Sequence, residues 1–112
     1  MNSKNLDLVF AALSDATRRG ILANLEVGPR TVHQLTAAFD ISQPAISRHL
    51  RVLDDAGLVQ REKRGRETYV TANAATAAQA ADWLAHYVRF WTAHFDRMDH
   101  ILSNQKEEND EC

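Results

Sequence analysis

The 112-residue chain is nearly free of cysteine: Cys112 is the only one, and it is the last residue. An intrachain disulfide is therefore excluded, as is a multi-thiolate metal or redox site built within one subunit. The thiol itself reads as an unstructured terminal group rather than a sensor. Long apolar runs are also missing. None approaches a membrane span, and the amino terminus carries no charged-then-apolar signal pattern. The expected location is cytoplasmic, with no membrane partner. Charge of one sign is not in excess: Lys and Arg number 13 against 15 Asp and Glu, a net charge of −2 with histidines neutral. No nucleophile–base pair, phosphate loop or close carboxylate pair can be named, so neither an enzyme nor a bound cofactor is expected.

What remains is an ordinary globular balance, with 25% charged and 45% hydrophobic residues, enough for one domain with a moderate core. The charge is segregated. From Ser42 to Arg66 there are six basic residues (Arg48, Arg51, Arg61, Lys63, Arg64, Arg66) and three acids (Asp54, Asp55, Glu62). Residues 103–112 hold one Lys and four acids and are expected to be a disordered tail. Any affinity for a polyanion must come from the local basic patch in the middle.

Leu6, Val9, Phe10 and Leu13 recur at helical spacing and predict a short first helix. Ser14-Asp15 breaks it and caps a second, running to about Glu26 with Ile21, Leu22 and Leu25 inward. Arg18 and Arg19 lie on its outer side, where a solvated face is the plain reading and a phosphate contact the alternative. Gly28-Pro29 ends that helix. Thr31-Val32-His33-Gln34 is a capping box for a third helix to about Phe39, burying Val32, Leu35 and Phe39; His33 reads as simply exposed.

After a tight connection, Ser42 caps a fourth helix and Pro44 sits in its first turn, where a missing N–H costs nothing. Ile46, Leu50 and Leu53 form its apolar stripe. Pro44, Ser47, Arg48 and Arg51 fall on the other side, with no acid before Asp54. Two short helices joined by a turn, the second basic and capped, are the helix-turn-helix pattern. Such a face suits the major groove of DNA, where Arg bonds guanine edges bidentately and Ser a base or phosphate. Ser42, Gln43, Pro44, Ala45, Ser47, Arg48, His49 and Arg51 are the candidate contacts of this helix. His49 lies between its buried and exposed faces and reads as a packing or phosphate-orienting residue. Gly57 stops the helix. Two β-prone runs around Lys63-Arg64-Gly65-Arg66 then predict a hairpin tipped with cations, a wing able to reach phosphates or the minor groove through Lys63, Arg64 and Arg66.

From about Asn73 to Leu102 the chain reads as one long helix. Leu84, Tyr87, Val88, Trp91, Phe95, Met98 and Leu102 share a face, with Trp83, Phe90 and Ile101 beside them. That apolar arc is wider than a small core can cover, and it invites a second copy through a two-fold interface.

Ala12-Leu13-Ser14-Asp15-Ala16-Thr17-Arg18-Arg19, Ile21-Leu22, Ser42-Gln43-Pro44-Ala45-Ile46-Ser47-Arg48-His49-Leu50-Arg51-Val52-Leu53 and Ala56-Gly57-Leu58-Val59 resemble the ArsR/SmtB (arsenic-repressor) family of bacterial regulators. The resemblance covers about Leu6 to Leu102. It implies a mostly α, dimeric winged helix-turn-helix repressor of about five helices and one β-hairpin wing. Residues 1–102 would bind DNA and dimerise, through Leu6 and Phe10 of the first helix and Trp83, Leu84, Tyr87, Val88, Trp91, Phe95 and Met98 of the last. The expected partners are operator DNA, as an inverted repeat, and a second copy of the chain. The family's metal motifs are absent. Thr31, His33 and Thr36 stand where arsenic and cadmium sensors carry Cys-x-Cys-x-x-Cys. Asp82-x-x-x-His86 and His94-x-x-Arg97 replace the Asp-x-His and His-x-x-Glu of zinc and nickel sensors. No metal site is expected and the inducer stays open; a metal- or ligand-responsive switch on the last helix's histidines is the alternative.

Overall fold

The computed structural model describes the backbone of residues 2–110 and the side chains of residues 2–99. Helix α1 is Ser3–Leu13, begun three residues ahead of the periodic pattern because Asn2 caps it, its Oδ1 accepting from Asn5 N at 2.9 Å. Helix α2 is Ala16–Asn24, continued by a 3-10 turn over Leu25–Val27. Gly28 then turns the chain with φ 127°, a conformation costly for any residue with a Cβ. Strand β1 (Arg30–Thr31) and helix α3 (Val32–Ala38) follow, then helix α4 (Gln43–Asp55). Strands β2 (Val59–Arg64) and β3 (Glu67–Ala72) lead to helix α5, Ala74–Asp110.

The wing is longer than the β-prone runs suggested, and it has a third strand. The order is β1-β3-β2, all antiparallel, with Arg30 opposite Val70 and Thr31 opposite Tyr69. Arg64 pairs with Glu67, leaving Gly65-Arg66 as a two-residue turn in which Gly65 alone has positive φ, 62°. Glycine first in a two-residue loop is the type II′ pattern, whose twist matches that of the strands.

Two compact units divide the chain, Met1–Ala80 and Ala81–Cys112. The first is built on one apolar cluster. Ile21, Leu35, Ile46 and Leu53 are fully buried and Leu50 nearly so, with Val9 from α1 and Val59 and Val70 from the wing. Leu13, Leu22, Val32 and Phe39 pack on its margin. Helices α2, α3 and α4 thus supply the stripes that their spacing predicts, whereas of the α1 stripe Val9 is buried, Leu13 packs on the margin and Leu6 and Phe10 stay half-buried; the cluster fixes α4 against α2, α3 and the wing strands.

The second unit is helix. Its backbone is helical to Asp110, whereas the sequence pattern ended the helix at Leu102. The side chains expected to form a disordered acidic tail, 103–112, lie outside the described ones. An aromatic ladder runs at four-residue steps. Trp83 stacks on Tyr87 at 5.4 Å between centroids, Tyr87 meets Trp91 at 5.8 Å, and Trp91 meets Phe95 at 5.8 Å. Leu84, Tyr87, Val88, Phe90, Phe95 and Met98 are all exposed, from 42% to 59% of their surface. Tyr87, Val88, Trp91, Thr92 and Phe95 line a shallow apolar groove.

Candidate nucleic-acid interface

Helix α4 takes its place through its start and its back. Ser42 Oγ accepts from Ala45 N at 3.3 Å, and Ile46 N bonds Ser42 O at 3.0 Å. Pro44 sits in the first turn, where no backbone donor is required. With Ile46, Leu50 and Leu53 buried, Gln43, Pro44, Ser47, Arg48 and Arg51 are left exposed and Ala45 partly so. Arg48 and Arg51 form no ion pair among the described residues. A guanidinium held without an acidic partner keeps its donors for an incoming acceptor.

The wing stands beside this face. Arg61 in β2 binds Asp54 of α4 through Nε at 3.0 Å and Nη2 at 2.8 Å, both on one carboxylate oxygen. That pair ties the wing's root to the recognition helix, so Arg61 is engaged in holding the frame. Between them lies a polar cleft of about 230 Å³, lined by Gln43 and Ser47 of α4, by Arg66, Glu67 and Thr68 of the wing, and by Thr31 and His33. Sequence reading missed this cleft, because the residues lining it are up to 37 positions apart in the chain.

The three wing cations differ. Lys63 and Arg66 are exposed and carry no ion pair among the described residues. Arg64 is occupied on both sides: Nη2 donates to Glu62 Oε2 at 3.0 Å, and its guanidinium lies 5.1 Å from the Tyr69 ring centroid. The hydrogen bond from Arg64, and then its charge, hold the Glu62 carboxyl below the usual range. Both side chains remain more than 60% exposed, so the pair is worth little to stability.

Arg19 is exposed, as the solvated face expected of the pair requires, whereas Arg18 is partly buried. Arg18 folds back over the end of α1, donating Nε to Ala12 O at 2.7 Å and Nη2 to Ala11 O at 3.0 Å. Arg19 Nη1 reaches Leu13 O at 2.8 Å. A helix leaves its last carbonyls unpaired and negative, and two guanidiniums answer both needs. A helical wheel gives the direction of a Cβ, and these long side chains turn back from it.

His49 sits on the flank of α4 that meets α2. Its Nδ1 lies 3.3 Å from Arg18 Nη1 and 3.9 Å from Asp15 Oδ2. Asp15 caps α2 by accepting from Arg18 N at 3.1 Å. That backbone hydrogen bond leads the causes that lower its carboxyl pKa, followed by the Arg18 and His49 charges. The side chains predicted to touch DNA are therefore brought onto one side of α4 and the adjoining wing, with His49 set at the edge.

Of the residues expected to hold a second copy, Trp83, Leu84, Tyr87, Val88, Phe95 and Met98 are exposed on α5, and Trp91 is half-buried in the ladder. Leu6 and Phe10 are half-buried on α1. Among the described residues, no group of three or more His, Cys, Asp or Glu side chains is placed to hold a metal ion. No helix among them is long and apolar enough to cross a membrane.

Residues 15–61, which span α2 to the root of the wing, match the family described as "Bacterial regulatory protein, arsR family". The transcriptional repressor SdpR of Bacillus subtilis (strain 168) is 34% identical over 71% of this chain and 89% of its own. The arsenical resistance operon repressor of Escherichia coli (strain K12) is 33% identical over 90% of this chain and 85% of its own. An ArsR-like transcriptional regulator from Rhodococcus sp. RHA1 has a TM-score of 0.76 at 34% identity, covering 88% of this chain and 92% of that one. With an outward basic helix, a wing beside it and relatives matched over most of their length, the chain belongs to the ArsR family: it is a winged helix-turn-helix DNA-binding transcriptional regulator and not an enzyme.

Proposed function

We propose that the protein is a cytoplasmic repressor that binds an inverted-repeat operator as a homodimer, possessing one α4 and one wing per half-site. The observation that carries the DNA half is the outer face of α4, where Ser47, Arg48 and Arg51 stand exposed and the two arginines have no acidic partner among the described residues. Arg48 and Arg51 read base edges there, while Lys63 and Arg66 hold phosphates or the minor groove. Gln43 and Ser47 line the polar cleft, where a backbone phosphate would meet Arg66 and Thr68. We assign both DNA binding and dimerisation to residues 1–102.

The observation behind the dimer is the aromatic ladder of α5. Exposed aromatics at this density favour burial against a partner, and a second copy makes a closed, self-complementary contact. A dimer also presents two recognition helices, as a palindromic operator requires. Sedimentation and duplex binding test the reading together. Wild type is expected to sediment as a dimer at micromolar concentration and to protect two symmetric half-sites. Trp91→Glu should lose both properties. A wild-type mass equal to the monomer would refute the dimer.

A further inference from the structure

Arg18 does more than close the end of α1. Its Nη1 lies 3.3 Å from His49 Nδ1, and a guanidinium has donors only. The contact is a hydrogen bond only if Nδ1 accepts, so the imidazole proton must sit on Nε2. Asp15 Oδ2, 3.9 Å from the same Nδ1, would ask for the opposite: a carboxylate accepts, and it draws a proton to Nδ1. Arg18 is nearer, and its contact favours the neutral ring that carries its proton on Nε2.

The other ring nitrogen is not enclosed. Among the described residues, the buried side-chain polar atoms without a partner are Arg30 Nε and Trp91 Nε1. His49 is half-buried, and its Nε2 bonds to no group among the described residues and is not one of their enclosed polar atoms. Its position on α4 matters too. Gln43, Ser47 and Leu50 face the cleft beside the wing, and at about 100° per residue His49 leaves the helix on the opposite flank. A helix in a major groove has a phosphate backbone along each flank. The wing serves one of them, and a fixed N–H stands on the other.

We propose that His49 donates Nε2–H to a DNA backbone phosphate on the flank of α4 away from the wing, and that Arg18 is the positioning residue that fixes this tautomer and aim. The proposal rests on the DNA-binding reading above. It gives Arg18 a share in DNA affinity that acts through His49, and it makes the contact one of register rather than of base identity.

Two measurements test it. The first uses histidine-labelled free protein at mildly alkaline pH and long-range nitrogen–proton correlation. Wild-type His49 should carry its proton on Nε2, and Arg18→Met should move it to Nδ1, toward Asp15. A wild-type Nδ1–H form overturns the role of Arg18. The second uses a duplex selected by the wild-type protein from a random-sequence pool. His49→Asn keeps an acceptor where Nδ1 stood and lacks the outward donor. It should lose roughly tenfold in affinity, the size of one hydrogen bond to a charged group, by the same factor on every single-base variant and with an unchanged melting temperature. His49→Gln, with an amide N–H near the Nε2 position, should recover most of the loss. Wild-type affinity in His49→Asn overturns the phosphate contact, and so does a loss that varies with base sequence. A wild-type protein that retains no duplex from the pool overturns the DNA-binding reading itself, and the tautomer result stands apart from it.

Discussion

Leu50 and Arg48 lie two residues apart on α4 and should separate stability from recognition almost completely. Leu50 is 1% exposed within the core cluster. Leu50→Ala removes an isopropyl group from that cluster, a transfer loss of about 2.5 kcal/mol at roughly 0.8 kcal/mol per buried carbon. The surrounding side chains come from α2, α3 and the wing and relax only in part, so the residual cavity raises the cost to about 3–4 kcal/mol. Leu and Ala have nearly equal helix propensity, which leaves that figure unaltered. Urea unfolding, with a slope of about 1–2 kcal/mol per molar, should show a midpoint lower by about 2 M. A domain with about 5–15 kcal/mol in hand stays largely folded at that cost, and its folded fraction should still select the same DNA. Arg48→Ala is the mirror image. The side chain is exposed and has no ion pair among the described residues, so stability should move by no more than about 0.5 kcal/mol. Affinity should fall by about 1–3 kcal/mol, unequally across operator variants. The assignment of faces is refuted if Arg48→Ala lowers the urea midpoint as much as Leu50→Ala, or leaves affinity and base preference unchanged.

Four further outcomes can be checked. Gly57 has φ 78° and a Cβ there would come within 3.2 Å of Thr76 Oγ1, so Gly57→Ala should cost about 1 kcal/mol or more in a thermal melt. Arg66→Ala should weaken DNA binding and flatten its salt dependence more than Arg64→Ala, because Arg64 is already engaged by Glu62 and Tyr69. Asp15 has its carboxyl pKa lowered in the fold, so its contribution is present above the ordinary value of 3.8 and is lost as pH falls through the lower folded value; Asp15→Asn keeps a cap and should flatten the acid limb of a stability-versus-pH curve. Operator affinity should be the same with a chelator as with stoichiometric zinc, since His94 packs edge-on against Trp91 and no metal-binding cluster occurs among the described residues; a tenfold zinc-dependent loss that His94→Ala abolishes would establish the sensor instead.

The helix-turn-helix was readable because its determinants are local. The Thr31–Gln34 capping box forms both of its hydrogen bonds, at 3.0 and 2.9 Å, and Asp15 and Ser42 cap as their positions foretold. Ile46, Leu50 and Leu53 are buried because helical spacing leaves them no other side. What was not readable depends on partners far along the chain. Strand β1 has two residues, too few for an alternating pattern, and its pairing with Val70 and Tyr69 crosses two intervening helices. The polar cleft exists only once the wing stands beside α4. Arg18 pointed outward on the wheel, but the length of its side chain lets it reach the carbonyls of α1 and the ring of His49. The exposed face of α4 was thus legible from periodicity, and the contacts that Arg18 makes with α1 and His49 were not.

Thr31 occupies two frames at once. It is the last residue of β1, opposite Tyr69, and the cap of α3, and it is 94% buried while doing both. The ladder counts residues in twos and the cap counts them in threes, so one inserted or deleted residue at this point cannot satisfy either. Substitution here is open to graded repair, whereas a change of length is all or nothing. The stretch from Gly28 to Gln34 therefore acts as a fixed spacer between hairpin and helix. A library that varies the outer residues of α4 to change operator preference can leave that spacer alone, and a library that varies loop length should never enter it.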